Sequence, residues 1–194
     1  MASLVLSGDT SGSVTVAAPA VAGSNTQTLV AATGTLAPLI LGTAVTASGT
    51  SVDFTGIPSW VKRITVMFNG VSTGGTGNYQ LQLGDSGGIE ITSYDSRSGN
   101  IDGASTSLST LATGFLLKTS VTAASTYIGQ AVIVNISGNL WVCSSNIAAT
   151  NGVSSFQNGT KTLSDALTQL RVIGSATGSP SDTFDAGTIN ILYE

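Results

Sequence analysis

Five residues near the middle of the chain spell a catalytic string. Gly84-Asp85-Ser86-Gly87-Gly88 surrounds the nucleophile in one class of serine proteases, where the serine attacks only after an imidazole takes its proton. This chain has no histidine. That removes the usual general base near neutral pH, the commonest metal ligand and the middle member of any Ser-His-Asp set. Ser86 is therefore expected to be a turn residue after the Tyr79-Gln80-Leu81-Gln82-Leu83 run, with Asp85 accepting from its own backbone. Cys143, the single cysteine, sits in the apolar run Leu140 to Ser144 and has no neighbouring base to form a thiolate pair. It is expected to be buried and inert, and alone it cannot close an intrachain disulfide.

The ten acids remain for other chemistry. Glycoside cleavage needs two carboxylates about 5–10 Å apart across a cleft, and no spacing among Asp53, Glu90, Asp95, Asp102, Asp182 and Asp185 singles out such a pair. Asp95 to Asp102 and Asp182-Thr183-Phe184-Asp185 could offer hard oxygens to calcium, but no twelve-residue calcium loop exists. Turn-capping is the favoured role for these acids. No glycine pair is followed by the Lys-Ser/Thr of a phosphate loop, and two glycosylation sequons, at Asn135 and Asn158, lack a secretion signal. No catalytic, cofactor-binding or metal-ligating residues are expected, and no cofactor. Lys62 and Arg63 are the most informative charges, since they open the best strand after Trp60. They suit solvent-facing edge positions or a subunit contact, in which Arg63 pairs with an acid such as Asp53 or Glu194 of a neighbour.

Composition sets the class. Of 194 residues, serine and threonine supply 27 each and glycine 24, while only 8 % are charged. An ordinary soluble domain carries about 25 %. Six scattered bases cannot make a duplex-binding surface, so nucleic acid is not an expected partner. Disorder needs low hydrophobicity with high net charge, whereas this chain is 41 % apolar with a net charge of -4. Small polar residues interleaved with β-branched apolar ones suit a pleated surface. No run is long enough to span a membrane, and Met1 to Asp9 lacks the basic flank of a signal peptide. A surface this poor in charge fits one part of a large assembly better than a free monomer.

The periodicity is two almost throughout. Trp60 to Val71 places Ile64, Val66 and Phe68 on one face, and Tyr79 to Leu83 does the same with Tyr79, Leu81 and Leu83. The glycine-rich Ser72 to Asn78 between them reads as the turn of a hairpin. A second hairpin joins Gln130 to Ile136 with Leu140 to Ser144 across Ser137-Gly138-Asn139. Gly187 to Tyr193 is a last strand. Shorter candidates are Val52–Thr55, Ile89–Thr92, Phe115–Lys118, Lys161–Leu163 and Leu170–Ile173, which gives eight or nine strands after Thr50. Leu163 to Leu170 divides evenly between a two-turn helix and a loop. Without crossover helices, the expectation is an all-β antiparallel sandwich. The stretch from Ser7 to Thr35 has no aromatic residue and almost no large side chain, with β-prone pieces at Val14–Ala17 and Thr26–Ala31. It buries too little to fold alone. The reading is an extended N-terminal attachment arm, residues 1–41, followed by a sandwich head domain, 42–194.

Three stretches carry a likeness to a known family. Gly49 to Gly70 (GTSVDFTGIPSWVKRITVMFNG), Tyr79 to Tyr94 (YQLQLGDSGGIEITSY) and Ser179 to Glu194 (SPSDTFDAGTINILYE) resemble signature segments of C-terminal domains in tailed-bacteriophage fibres and related virion surface proteins. Ser7 to Thr35 resembles the stretch that leads into such domains, although Leu29 to Thr35 (LVAATGT) lacks the proline of the family's LPAATGT-like string. The likeness is weakest at Gly99–Thr126 and Ala148–Lys161, which look like variable loops.

The resemblance implies a jelly-roll-like, homotrimeric, non-enzymatic protein at the virion surface, with host attachment as its task. The arm, Met1 to Thr35, is expected to contact other virion proteins. The loops Asp95–Thr110 and Asn146–Gly159 are expected to face outward, toward a host cell-surface glycan or protein. A capsid decoration or head-fibre knob is the first alternative and a bacterial surface-exposed binding module the second. A polysaccharide-degrading fibre is the third.

Overall fold

The computed structural model describes residues 3–7, 10–17, 20, 37–103, 105–123 and 125–194. They belong to two compact units, Met1–Leu36 and Ala37–Glu194.

In the first unit, Ser3–Ser7 (β1) and Ser13–Ala17 (β2) pair as an antiparallel hairpin. Leu4 lies opposite Val16 and Leu6 opposite Val14, so alternation gathers four aliphatic side chains on one face. All four are more than half exposed. The β-prone Val14–Ala17 piece is part of β2, and Thr26–Ala31 lies outside the described residues.

The second unit is an all-β sandwich of two antiparallel sheets. The larger runs Ser105–Leu111 (β10), Asp95–Asp102 (β9), Ser154–Thr162 (β14), Leu140–Ala149 (β13), Tyr127–Ser137 (β12), Arg63–Thr73 (β6), Phe184–Tyr193 (β16), Ile40–Leu41 (β3), with Val45–Thr46 (β4) also on β16. The smaller runs Phe115–Lys118 (β11), Asn78–Asp85 (β7), Gln169–Ser175 (β15), Ser51–Thr55 (β5), with Gly88–Ile89 (β8) on β7. Ile40 and Leu41, which the sequence reading placed in the arm, pair with Tyr193 and Leu192 in this unit.

The core lies where alternating side chains of the two sheets meet. Ile64, Val66 and Phe68 of β6, Ala131 and Ile133 of β12, and Ile189 and Ile191 of β16 come from one side. Tyr79, Leu81 and Leu83 of β7, with Leu170 and Val172 of β15, come from the other. Tyr79 packs edge-on against Tyr127, ring centres 5.0 Å apart. The opposite face of β7 is also buried. Loops lie over it, and the Gln82 amide donates to the carbonyls of Thr113 at 2.9 Å and Gly178 at 2.8 Å, while that of Gln80 donates to Ser175 at 2.7 Å. Gln82 thereby ties the covering loops to the sheet, and Gln80 does so by accepting from the Thr113 hydroxyl at 3.0 Å.

Several sequence expectations need correction. The hairpin of Gln130–Ile136 with Leu140–Ser144 forms as expected, but β6 and β7 are not partners. β6 sits between β12 and β16, and β7 between β11 and β15. The segment between them passes from one sheet to the other, and its glycines serve a different purpose. They wrap the Asp182 carboxylate, which accepts from the Gly77 N–H at 2.6 Å. A Cβ at Gly77 would come within 2.7 Å of that carboxylate and 2.9 Å of the Ser175 nitrogen. Asp95–Thr110 and Asn146–Gly159 are not loops either. They hold the hairpin of β9 with β10, the end of β13 and most of β14, strands built largely of Ser, Thr, Asn and Gly that carry little hydrophobic alternation. Among the described residues twelve strands follow Thr50 rather than eight or nine. Leu163 to Thr168 is a loop, without a helical turn.

The Asp182 wrap predicts that Gly77→Ala destabilises the fold. The Ser175 backbone has no flexible end to move aside, so a loss of about 1–3 kcal/mol is expected. Urea unfolding should show a lower midpoint at unchanged slope, and an unaltered midpoint would contradict the packing described.

Candidate functional site

The string Gly84 to Gly88 forms a tight turn closing β7 onto β8, with Asp85 opposite Gly88. Ser86 is at its exposed apex. Asp85 Oδ1 accepts from the Gly87 N–H at 2.8 Å, the local cap the sequence suggested. Its other oxygen does what the sequence did not reveal, accepting from the Ser164 hydroxyl at 2.6 Å and the Asp165 N–H at 2.9 Å. Glu90 joins from the other side, its Oε1 2.7 Å from the Ser164 nitrogen and 2.8 Å from the Ser164 hydroxyl. One hydroxyl hydrogen thus serves two carboxylates in turn, while the backbone serves both.

Lys161 completes the cluster. Its side chain is 2 % exposed, its ammonium lies 2.5 Å from Glu90 Oε2 and donates to the Thr92 carbonyl at 2.9 Å. It stands 5.1 Å from the centre of the Tyr94 ring. The Tyr94 hydroxyl in turn accepts from the Leu83 N–H at 2.7 Å, and burial raises its pKa. Burial would raise the Glu90 carboxyl, but Lys161 and the hydrogen bonds from Ser164 outweigh it and hold the group below its ordinary value. Hydrogen bonds, that of Ser164 first, likewise lower Asp85. Two carboxylates converge here, yet both are spent on holding the Leu163–Thr168 loop against the turn. The chemistry of the cluster is that of a latch.

The other candidates are dispersed. Cys143 is fully buried and burial raises its thiol pKa, the opposite of what a nucleophile needs. Arg63 pairs with Glu194 of its own chain, and Asp53 is taken by Arg171 through two hydrogen bonds of 2.7 Å. Both acids foreseen as a neighbour's partners for Arg63 are therefore engaged within the chain. Lys62 is exposed. Asp182 is folded into the glycine loop and Asp185 accepts from Ser72. Asp95 and Arg97 form an exposed pair on β9, of the kind that contributes little. Among the described residues no three of His, Cys, Asp and Glu gather around a point that could hold a metal ion. No helix among them is long and apolar enough to cross a membrane.

The distinctive surface is the outer face of the larger sheet. Register carries one row through Leu108, Gly99, Phe156, Asn146, Gln130, Met67 and Asn190. Across β12, β13 and β14 this face presents Ile128, Val134, Ile136, Phe156, Ser144, Asn158 and Thr160 without a charged side chain. Beside Phe156 is a shallow cleft of about 330 Å³ bounded by Arg97, Leu108, Thr110 and Asn158. Alternation makes this face visible in the sequence for β12. It is not visible for β14, whose outward residues are mostly polar.

No protein-family model, curated protein or solved structure matches this chain.

The latch makes two predictions. Glu90→Gln leaves the Lys161 ammonium buried without its counter-charge, and because Glu90 is itself a fifth exposed the expected loss is roughly 2–3 kcal/mol, below that of a fully buried pair. Carboxyls depressed in the folded state stabilise it above their unfolded pKa, and that contribution is lost as pH falls through the folded value. The melting temperature should therefore hold from neutral pH to about 5 and fall below about 4, with a shallower acid limb in a Glu90→Gln, Asp85→Asn double variant. Ser86→Ala, by contrast, should move stability by less than about 1 kcal/mol. Thermal melts followed by circular dichroism across that range check all three variants.

Proposed function

We propose that this chain is a non-enzymatic structural protein of a bacteriophage virion, a homotrimeric surface appendage of the short tail-fibre or fibre-tip kind that serves host attachment. The reading takes the sandwich as a jelly-roll-like head and the N-terminal segment as the contact with other virion proteins. The observation that carries it is the uncharged outer face across β12, β13 and β14. Such a face mixes aliphatic side chains with hydroxyls and amides, and charge depletion is what distinguishes the core of an interface from the rest of a surface. The hairpin of β1 and β2 supports it independently. A two-stranded ribbon is marginal in water, and the Leu4, Leu6, Val14 and Val16 face has more than half of each side chain exposed. The sequence resemblance supplies the class, and the engagement of Asp85 and Glu90 in a latch fits a protein without catalysis.

Light scattering at low micromolar concentration should give about 58 kDa, three chains of 19.3 kDa, or a multiple of it. A stable monomer or a dimer overturns the trimer. Antibody against the chain should label the surface of intact particles of the phage that encodes it. Deleting Met1–Leu36 should leave a cooperatively melting β domain that no longer joins the particle, and normal occupancy of the truncated chain would place the anchor in the sandwich.

A further inference from the structure

The two sheets of the Ala37–Glu194 unit end in four edges, and three of them are shielded. β3 and β4 are two residues each and are separated at Gly42 to Ala44. β5 carries Asp53, held by Arg171. The outer edge of β11 meets Ser96 of β9, whose hydroxyl accepts from the Leu116 N–H at 2.9 Å. Short strands, charges and covering side chains are the usual protections of a sheet edge. β10 has none of them. Its seven residues, Ser105-Thr106-Ser107-Leu108-Ser109-Thr110-Leu111, contain no charge and no proline, and their register with β9 is unbroken. At its centre stands Leu108, 87 % exposed.

A regular, uncharged edge accepts another strand, and the side chains of β10 select which. Around Leu108 the strand reads the same in both directions except at its outermost residues. An antiparallel pair about a two-fold axis at Leu108 sets that residue against its counterpart, Thr106 against Thr110 and Ser107 against Ser109. Leucine meets leucine and hydroxyl meets hydroxyl, pairings that favour adjacent strands. The Phe156 ring lies over Gly99, directly across β9 from Leu108. The pairing would therefore extend one apolar stripe from Phe156 through two leucines to a second Phe156. It covers the most exposed large aliphatic side chain of this unit, and no charge in either strand opposes it.

We infer that β10 is a two-fold contact through which two copies of this chain join their larger sheets edge to edge. The contact is isologous, so it is distinct from the three-fold association proposed above. With that association it gives six chains, about 116 kDa, and without it two, about 39 kDa. Sedimentation velocity of the full chain from about 1 to 100 μM tests it, beside Leu108→Lys and Thr106→Lys, exposed substitutions that leave the core untouched. The wild type should double in mass as concentration rises, and both variants should stay at half that mass with unchanged melting temperatures. Amide hydrogen exchange should slow in Ser105–Leu111 only in the wild type at high concentration. Equal masses for wild type and variants, or β10 exchange that ignores concentration, would overturn the contact. The mass of the Lys variants reports separately on the trimer, since only that reading places them at three chains.

Discussion

The two sheets of the sandwich differ in width, and most of the larger unit follows from that mismatch. β7 and β15 cover the centre of the larger sheet with aliphatic and aromatic side chains. Beyond them, on the β9 side, the smaller sheet has only β11, whose Leu116 N–H at the free edge reaches Ser96 of β9. An edge presents backbone N–H groups, and a buried N–H without a partner is costly. The inner faces of β9 and β14 are accordingly polar. Ser96 accepts from Leu116, Gln157 donates to Ser96, Ser155 donates to Asn100, and Asn100 donates to Thr119 at 2.5 Å. One strand further out, β10 has Ser105, Ser107, Ser109 and Leu111 on one side, with Leu108 between Thr106 and Thr110 on the other.

The scarcity of charge has a parallel consequence. A sequence with few ionic side chains has few devices for fixing loops, and several of those it has are used at junctions. Lys161 and Glu90 fasten the Leu163–Thr168 loop to the Asp85 turn. Arg171 and Asp53 bridge β15 to the edge strand β5, and Arg63 holds the C-terminal Glu194. Asp182 organises the crossing between the sheets. What is left for the outer face of β12, β13 and β14 is hydroxyl, amide and aliphatic surface. Such surface is costly to leave facing water over a wide area, and an assembly is the natural way to cover it. That is the physical basis of the appendage proposal, which the sequence resemblance narrows to a virion.

How legible the fold was depended on whether a strand's alternation was hydrophobic. β6, β7 and β16 largely alternate apolar with polar residues, which assigns their core faces from the sequence, while β12 and β13 are legible as runs of β-branched and aromatic residues. Phe115–Lys118 does not alternate and is legible only as a short apolar run, all four residues of which are buried. β9, β10 and most of β14 read as loops in the sequence because Ser, Thr, Asn and Gly are common to loops and to strands that bury only hydrogen bonds. The latch was half legible. Asp85 capping Gly87 is a local event written in Gly84 to Gly88, but its bond to Ser164 joins positions 79 residues apart.

By itself, then, the sequence determined the all-β class, the absence of an imidazole to activate Ser86, the inert character of Cys143 and the inward faces of the hydrophobic strands. These depend on residue type and on a period of two, both local properties. Only the tertiary structure decided which strands are neighbours. The chain passes between the sheets at eight of the thirteen connections from β3 to β16, so strands adjacent in sequence, such as β6 and β7, often lie in different layers. Partnership is set by which apolar faces close over one another and by which distant side chain satisfies each buried polar group. Neither is written in the spacing of residues along the chain.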